Sequence, residues 1–314
     1  MPIAITDDHL ALGETVADLA RKRALLEANS ALLEADEETM PAAWEEIASL
    51  GWLGLHVPEA HGGSGFGLEE LVVVAEELGR RVAPGPFVPT VIASATLAAI
   101  GDEAAAAAYL PGLADGSRTG AVALDADVTI TDGAASGNAG VVLGGALAGV
   151  VLVAVGDDVA IVETSADGVS VETPPNLDPS RRSARISLDG APATVLGGAA
   201  TTMRDLARVI LSADAVGIAA ECTEAAAAYA KEREQFGRPI AMFQAVKHHC
   251  ANMAVATEMA TCAVWDAARA ASTGGDQLSY AAAVAASLAA PAADLCANLN
   301  TQVHGGIAIT WEHD

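Results

Sequence analysis

The 314-residue chain is 52% hydrophobic, 18% charged and 4% aromatic, which excludes a disordered polypeptide and leaves room for two or three structural units sharing a large core. Sixteen Lys and Arg stand against 41 Asp and Glu, a formal net charge of -25. A surface of that sign repels phosphate backbones and anionic lipid, so no nucleic-acid or membrane partner is expected, and any anionic ligand has to be met by a few local Arg side chains and backbone N–H groups.

The apolar excess is mainly Ala, which gives helix propensity more than membrane affinity. No run of about 18 residues has Leu/Ile/Val/Phe quality, and the first residues lack a basic start followed by an apolar stretch, so a soluble cytoplasmic protein is expected. Cys222, Cys250, Cys262 and Cys296 show no CxxC spacing and lie in Ala-rich helical surroundings, which predicts buried free thiols rather than zinc ligands or disulfides.

From Thr6 to about Gly116 the pattern is helical. Asp7 is placed to cap a helix carrying Leu10, Val16 and Leu19 inward, and Pro41 to open a short helix with Trp44, Ile47 and Ala48 on one face, stopped by Gly51. After a Gly-rich loop over residues 61–67, Leu71, Val74 or Ala75 and Leu78 recur at helical spacing between Leu68 and Arg81, and another helix runs from about Val88 to Ile100. From about Ser117 to Gly198 the texture changes to short Val/Ile/Leu runs broken by Gly, Asp and Pro, at residues 128–131, 141–143, 150–155, 159–162, 169–172 and 184–188, which predicts strands of an antiparallel sheet or small barrel. From about Thr201 long helices return. Leu206, Val209, Ala213, Val216 and Ala220 keep one face apolar up to Gly237, read as a C-cap, Pro239 starts a second helix with Phe243, Val246, Cys250 and Met253, and a third runs from about Gln277 to Val303. The predicted fold class is α+β: an N-terminal helical domain (1–116), a middle antiparallel β-domain (117–199) and a C-terminal helical bundle (200–314).

Among residues that could carry chemistry, the Gly62–Gly67 loop lacks the Lys-Ser/Thr pair of a P-loop, a preceding strand and the GxGxxG spacing, so a tight connection is the better reading than a phosphate cradle. The richest stretch is residues 229–244, where a tight corner at Gly237-Arg238-Pro239 could bring Arg233 and Gln244 toward one point. An Arg fork with amide donors suits a pyrophosphate, and a merely solvated helix hairpin is the open alternative. Gln302-Val303-His304-Gly305-Gly306 either lets a ligand approach closely or simply stops a helix. His248 and His249 are adjacent, about 100° apart on a helix, with no further ligand at i+4, and no GxSxG, HExxH or nucleophile-and-base signature occurs.

Taken together, these segments resemble the acyl-CoA dehydrogenase family along nearly the whole chain. The resemblance rests on residues 54–59 with Gly62-Gly63 and Glu76-Glu77-Leu78-Gly79-Arg80, on Leu177-Asp178-Pro179-Ser180-Arg181-Arg182, and on Arg233-Glu234-Gln235-Phe236-Gly237-Arg238-Pro239-Ile240, Phe243-Gln244 and the Gln302–Gly306 segment, in that order. It implies a flavoprotein that takes a proton from Cα and a hydride from Cβ of an acyl-CoA thioester, the hydride going to FAD, with each FAD bridging two subunits. On that resemblance Arg233, Gln235, Phe236, Phe243, Gln244, Gln302, Gly305 and Gly306 contact the pyrophosphate and adenosine end of FAD, and Asp205 and Arg208 match positions near the substrate. No metal is implied.

Departures from the family pattern matter as much. Where the TExxxGSD-type loop that holds the isoalloxazine should lie, residues 120–128 contain no Thr-Glu or Gly-Ser-Asp, and residues 138–151 offer no Trp-Ile-Thr. The catalytic Glu position on the helix before RxQFG is Ala207, whose methyl cannot accept a proton, and Glu312 follows the Gly-Gly segment too closely to match the other location. The family's last helices lie past Asp314, so a shortened chain is one expectation.

The resemblance therefore points to the smaller, non-catalytic, FAD-sharing subunit of the heteromeric acyl-CoA dehydrogenases of actinobacterial steroid degradation. There a homologous catalytic subunit in an α2β2 assembly supplies the reactive half-site and the base, and the substrate is a CoA ester derived from a steroid side chain or ring. Two alternatives stay open: a structural scaffold subunit without flavin contact, and a homotetrameric acyl-CoA dehydrogenase whose Glu lies beyond Asp314.

Overall fold

The computed structural model describes residues 5–310, so Trp311–Asp314, Glu312 among them, lie outside the described residues. In chain order the elements are α1 (Asp7–Lys22), α2 (Leu25–Ser30), α3 (Trp44–Ser49), α4 (Leu68–Arg80), α5 (Phe87–Ile100) and α6 (Glu103–Ala114). The strands β1 (Gly120–Ala123), β2 (Asp127–Thr131), β3 (Ala134–Leu143), β4 (Val150–Val155), β5 (Asp158–Glu163), β6 (Val169–Glu172), β7 (Ser183–Pro192) and β8 (Thr194–Leu196) follow. Last come α7 (Ala200–Glu232), β9 (Glu234–Gln235), β10 (Arg238–Pro239), α8 (Gln244–Thr273) and α9 (Leu278–His304). This is the helical–β–helical arrangement expected from the sequence. The chain divides into two compact units, one formed by residues up to Glu27, Val72–Ala83 and Arg208 onward, the other by Ala28–Leu71 and Pro84–Ala207.

In the second unit, two four-stranded sheets run in the orders β1-β4-β5-β8 and β2-β3-β7-β6. Successive side chains of a strand point to opposite faces, and β4 is buried on both, which explains its unbroken Val150–Val155 apolar run. Val150, Leu152 and Ala154 join Val159 and Ile161 in a core with Ala93, Leu97, Leu110 and Leu113 of α5 and α6. Val151 and Val153 join Ala160 and Val162 of β5 in another core with Val142, Ile186 and Leu188 of the second sheet. One expectation needs correcting: the sheets are not purely antiparallel, because β1 pairs with β4 in parallel, Gly120 opposite Val150. Gly120 is small because α5 lies on it; a Cβ there would sit 2.7 Å from the Ala93 Cβ.

Helix ends differ from expectation in two places. The N-cap of α1 is Thr6, not Asp7: the Thr6 hydroxyl accepts from the His9 backbone N–H at 3.3 Å while His9 Nδ1 accepts from the Thr6 N–H at 3.1 Å. Gly237 is not a C-cap, since α7 stops at Glu232. Of the four free cysteines only Cys296 is buried; Cys222 and Cys250 are half-buried and Cys262 is exposed.

In the first unit, α4 and α7 touch backbone to backbone. A Cβ on Gly79 would lie 2.4 Å from the Asp214 carbonyl oxygen, and one on Gly217 would lie 2.0 Å from that of Glu76. That close approach lets Arg80 reach Glu224 at 3.0 Å and Arg81 reach Glu221 at 2.9 Å. The stretch Leu278–Ile309 has the length and apolar composition of a membrane span, with a hydropathy of 1.4, yet α9 packs along α8 and buries Ala281, Ala282, Ala285, Ala289, Ala292 and Cys296.

Candidate functional site

The segment joining α7 to α8 is a miniature β-hairpin rather than an αα corner. Gln235 pairs with Arg238 and Glu234 with Pro239 in an antiparallel ribbon, and Phe236 and Gly237 form the two-residue turn with φ of 55° and 74°. Positive φ at both central residues is the type I′ pattern, which suits the strand twist and is ordinarily filled by Asn-Gly. A Phe in that position is strained, and its ring is 92% exposed, so burial does not compensate the strain. The ring meets Phe243 edge-on at 6.1 Å, and the Arg238 guanidinium lies 4.4 Å above the Phe243 ring. The Ile240 N–H donates to the Arg233 carbonyl at 2.8 Å, closing the ribbon onto the end of α7.

Beside this ribbon lies a cleft of about 500 Å³ lined by Arg233, Gln235, Gly305 and Gly306, with Tyr229 and His304 at its wall. Four residues singled out from the sequence therefore converge. Phe236 and Phe243 form the neighbouring aromatic tip, and Gln244 and Gln302 are exposed and do not line the cleft. Arg208 lies on α7, roughly seven helical turns before Arg233, and is exposed, while Asp205 is buried. Neither is among the residues that line the cleft. Ala207 is fully buried.

Sequence reasoning missed Tyr229 and His304. Their rings stack at 4.2 Å with an interplanar angle of 25°, and His304 Nδ1 lies 3.0 Å from the Asn300 carbonyl oxygen. A carbonyl only accepts, so Nδ1 carries the proton and donates. Gly305 adopts φ 67° and ψ -137°, a conformation that a side chain would strain, and a Cβ at Gly305 or Gly306 would meet no other atom within 4 Å. The chain at this point presents bare backbone to the cleft.

The earlier Gly-rich loop cannot play the same part. Its N–H groups are spent internally: Gly63 to Pro58, Ser64 to Gly54, Gly65 to Val57 and Phe66 to Leu55, at 2.8–3.2 Å, and Gly67 to the Glu70 carboxylate at 3.1 Å. A Cβ on Gly63 would lie 2.0 Å from the Val57 carbonyl oxygen. The loop is a packed connection, with no donors left for an anion.

Comparison with known proteins fixes the family. Residues 6–117 match the acyl-CoA dehydrogenase N-terminal domain and residues 197–314 the acyl-CoA dehydrogenase C-terminal domain. The chain belongs to the acyl-CoA dehydrogenase family. It is 42% identical to acyl-CoA dehydrogenase FadE34 of Mycobacterium tuberculosis over 100% of its own length, and spans 45% of that relative. It is 33% identical to acyl-CoA dehydrogenase IpdE2 of Mycolicibacterium smegmatis, covering 99% of this chain and 90% of that one. Among solved structures, a variant of the Tcur3481-Tcur3483 steroid ACAD matches with TM-score 0.90 and 31% identity over 98% of this chain and 89% of that one. The ChsE4-ChsE5 complex from Mycobacterium tuberculosis matches with TM-score 0.92 and 26% identity over 100% and 90%. Acyl-CoA dehydrogenases are FAD-dependent oxidoreductases, and the cleft's chemistry fits one end of that cofactor. A guanidinium, an amide and side-chain-free backbone are what a pyrophosphate and ribose require, and among the described residues none that lines the cleft is acidic.

Proposed function

We propose that this chain is a complementing subunit of a heteromeric FAD-dependent acyl-CoA dehydrogenase. It holds the adenosine and pyrophosphate end of FAD, while a homologous catalytic subunit, in an α2β2 assembly, provides the isoalloxazine pocket and the base. The observation that carries this reading is the convergence of Arg233, Gln235, Gly305 and Gly306 on one cleft in a chain whose α7 presents Ala207 at the family's alternative base position. Arg233 binds phosphate oxygens, Gln235 orients the ribose side, and Gly305-Gly306 allows close approach. Phe236 and Phe243 shield the cofactor at the hairpin tip, and Gln244 and Gln302 contribute amide contacts at its edge. Asp205 and Arg208 act on the substrate side.

Held by Arg233, Gln235, Gly305 and Gly306, FAD would supply the hydride-accepting chemistry of the dehydrogenation. The residues of this chain position it and exclude water; none of them takes the Cα proton. The likeness to the Tcur3481-Tcur3483 steroid ACAD and the ChsE4-ChsE5 complex supports a two-component assembly acting on a steroid-derived CoA ester. The 42% relative is more than twice as long as the stretch that matches, which leaves room in one polypeptide for a companion unit. Flavin content of the complex with Arg233→Ala tests the assignment: loss of a charge-assisted contact worth about 1.5–3 kcal/mol weakens FAD retention by at least about tenfold. Unchanged flavin content would overturn it.

A further inference from the structure

The cleft at Arg233 is built where two helices stop: α7 ends at Glu232, just before Arg233, and α9 ends at His304, just before Gly305. Arg233 and the Gly305–Gly306 backbone therefore sit on the ends of different helices. A ligand that needs both is held only as well as those two ends are held to each other.

Tyr229 and His304 supply that hold. Their rings stack at 4.2 Å with an interplanar angle of 25°. The imidazole has little room to turn, since its Nδ1–H donates to the Asn300 carbonyl at 3.0 Å and the residue is only 8% exposed. On one side of the stack the Arg233 N–H donates to the Tyr229 carbonyl at 2.8 Å; on the other the chain leaves His304 directly into Gly305, at φ 67°. A contact between two rings is thus passed through one short backbone link on each side to a group that faces the ligand. Behind it, α7 and α9 are linked again where the Thr223 hydroxyl lies 3.6 Å from Cys296 Sγ, roughly two turns before the helix ends.

We infer that Tyr229 and His304 are positioning residues, an aromatic clasp that fixes the span between Arg233 and the Gly305–Gly306 backbone and so sets how tightly the dinucleotide tail is held. This role rests on the proposed reading of the cleft as the seat of the FAD tail.

The test follows FAD loss on dilution from the co-purified complex with its catalytic partner, by flavin fluorescence, beside a thermal melt of each variant. Tyr229→Leu and His304→Leu each remove the stack and keep an apolar side chain; an aromatic stack is worth about two- to tenfold in an equilibrium, and each variant is expected to quicken FAD loss by that factor. Tyr229→Phe keeps the ring and restores slow loss. The double variant Tyr229→Leu/His304→Leu is expected to lose FAD no faster than either single one, because all three lack the same contact. In an Arg233→Ala background His304→Leu is expected to add less than about twofold, since the span it fixes no longer ends on a phosphate ligand. If His304→Leu does not assemble, Tyr229→Leu, at a half-buried position, carries the same readout. A lower melting temperature with unchanged FAD loss would overturn the clasp and leave the stack purely structural. Tyr229→Phe behaving like Tyr229→Leu, or the effects of His304→Leu and Arg233→Ala multiplying in full, would overturn it as well. Release of FAD by Arg233→Ala with retention in both Leu variants defeats the clasp alone, whereas Arg233→Ala without effect defeats the cofactor reading and the clasp with it.

Discussion

Phe236 separates a structural account of the hairpin from a ligand-holding one. With φ at 55°, it occupies left-handed backbone that costs an ordinary L-residue roughly 1–2 kcal/mol, and Asn relieves part of that cost. Phe236→Asn removes an aromatic contact with Phe243 at 6.1 Å, worth about 0.5–1.5 kcal/mol, but almost no burial, since the ring is 92% exposed. These terms nearly cancel, so the stability of the chain is expected to change by less than about 1 kcal/mol in urea unfolding. If the ring is kept to cover a bound cofactor, the same substitution lowers flavin content in the assembled complex and quickens FAD loss on dilution. A stability loss above about 2 kcal/mol with flavin content unchanged would refute this reasoning and make Phe236 a structural residue.

Other outcomes follow from the packing and the titrating groups. Burial pushes the Glu76 carboxyl up to about 7 from its ordinary 4.5, so the native state holds a proton that the unfolded state releases; stability is full below about pH 4.5, falls as pH rises toward 7, and stays lower above it by about 3 kcal/mol. Glu76→Gln flattens that pH dependence and is more stable than the parent at pH 8, as urea unfolding at several pH values would register; a parallel profile for parent and variant would contradict the burial argument. His56 shifts the other way, held neutral with a pKa lowered to about 4 by burial, its Nε2 2.9 Å from Ser94 Oγ, so its contribution is present above pH 6.5 and lost as pH falls toward 4. Thermal melts of His56→Gln against the parent from pH 7 to pH 4 are expected to converge. Gly63→Ala forces a methyl to within 2.0 Å of the Val57 carbonyl oxygen and is expected to cost about 3 kcal/mol or more, whereas Gly62→Ala meets no neighbour and costs only its φ of 86°.

How much of this was legible in the sequence depended on local pattern. α4 could be read because Leu71, Ala75 and Leu78 repeat at helical spacing, and β4 and β5 because β-branched runs are bounded by Gly and Asp. α6 was not readable: its Ala run has no apolar stripe to show a period, and Pro111 and Gly112 look like breakers although the helix continues through them. β1, Gly-Ala-Val-Ala, has one β-branched residue, Val122, and is held by its pairing with β4, a tertiary contact. At the site, Arg233, Gln235, Gly305 and Gly306 carried a signal through their motif, but Phe in the first turn position hid the hairpin and made Gly237 read as a helix stop. The Tyr229–His304 stack joins residues far apart in sequence, on two helices, and no local pattern announces it.

The division of one flavin site between unlike chains is tested most directly by FAD stoichiometry, measured on the isolated chain and on its co-purified complex with a catalytic partner. The isolated chain is expected to retain little FAD and to turn over no acyl-CoA, and the complex to carry one FAD for each pair of unlike chains. Saturating FAD and full dehydrogenation by this chain alone would contradict the account.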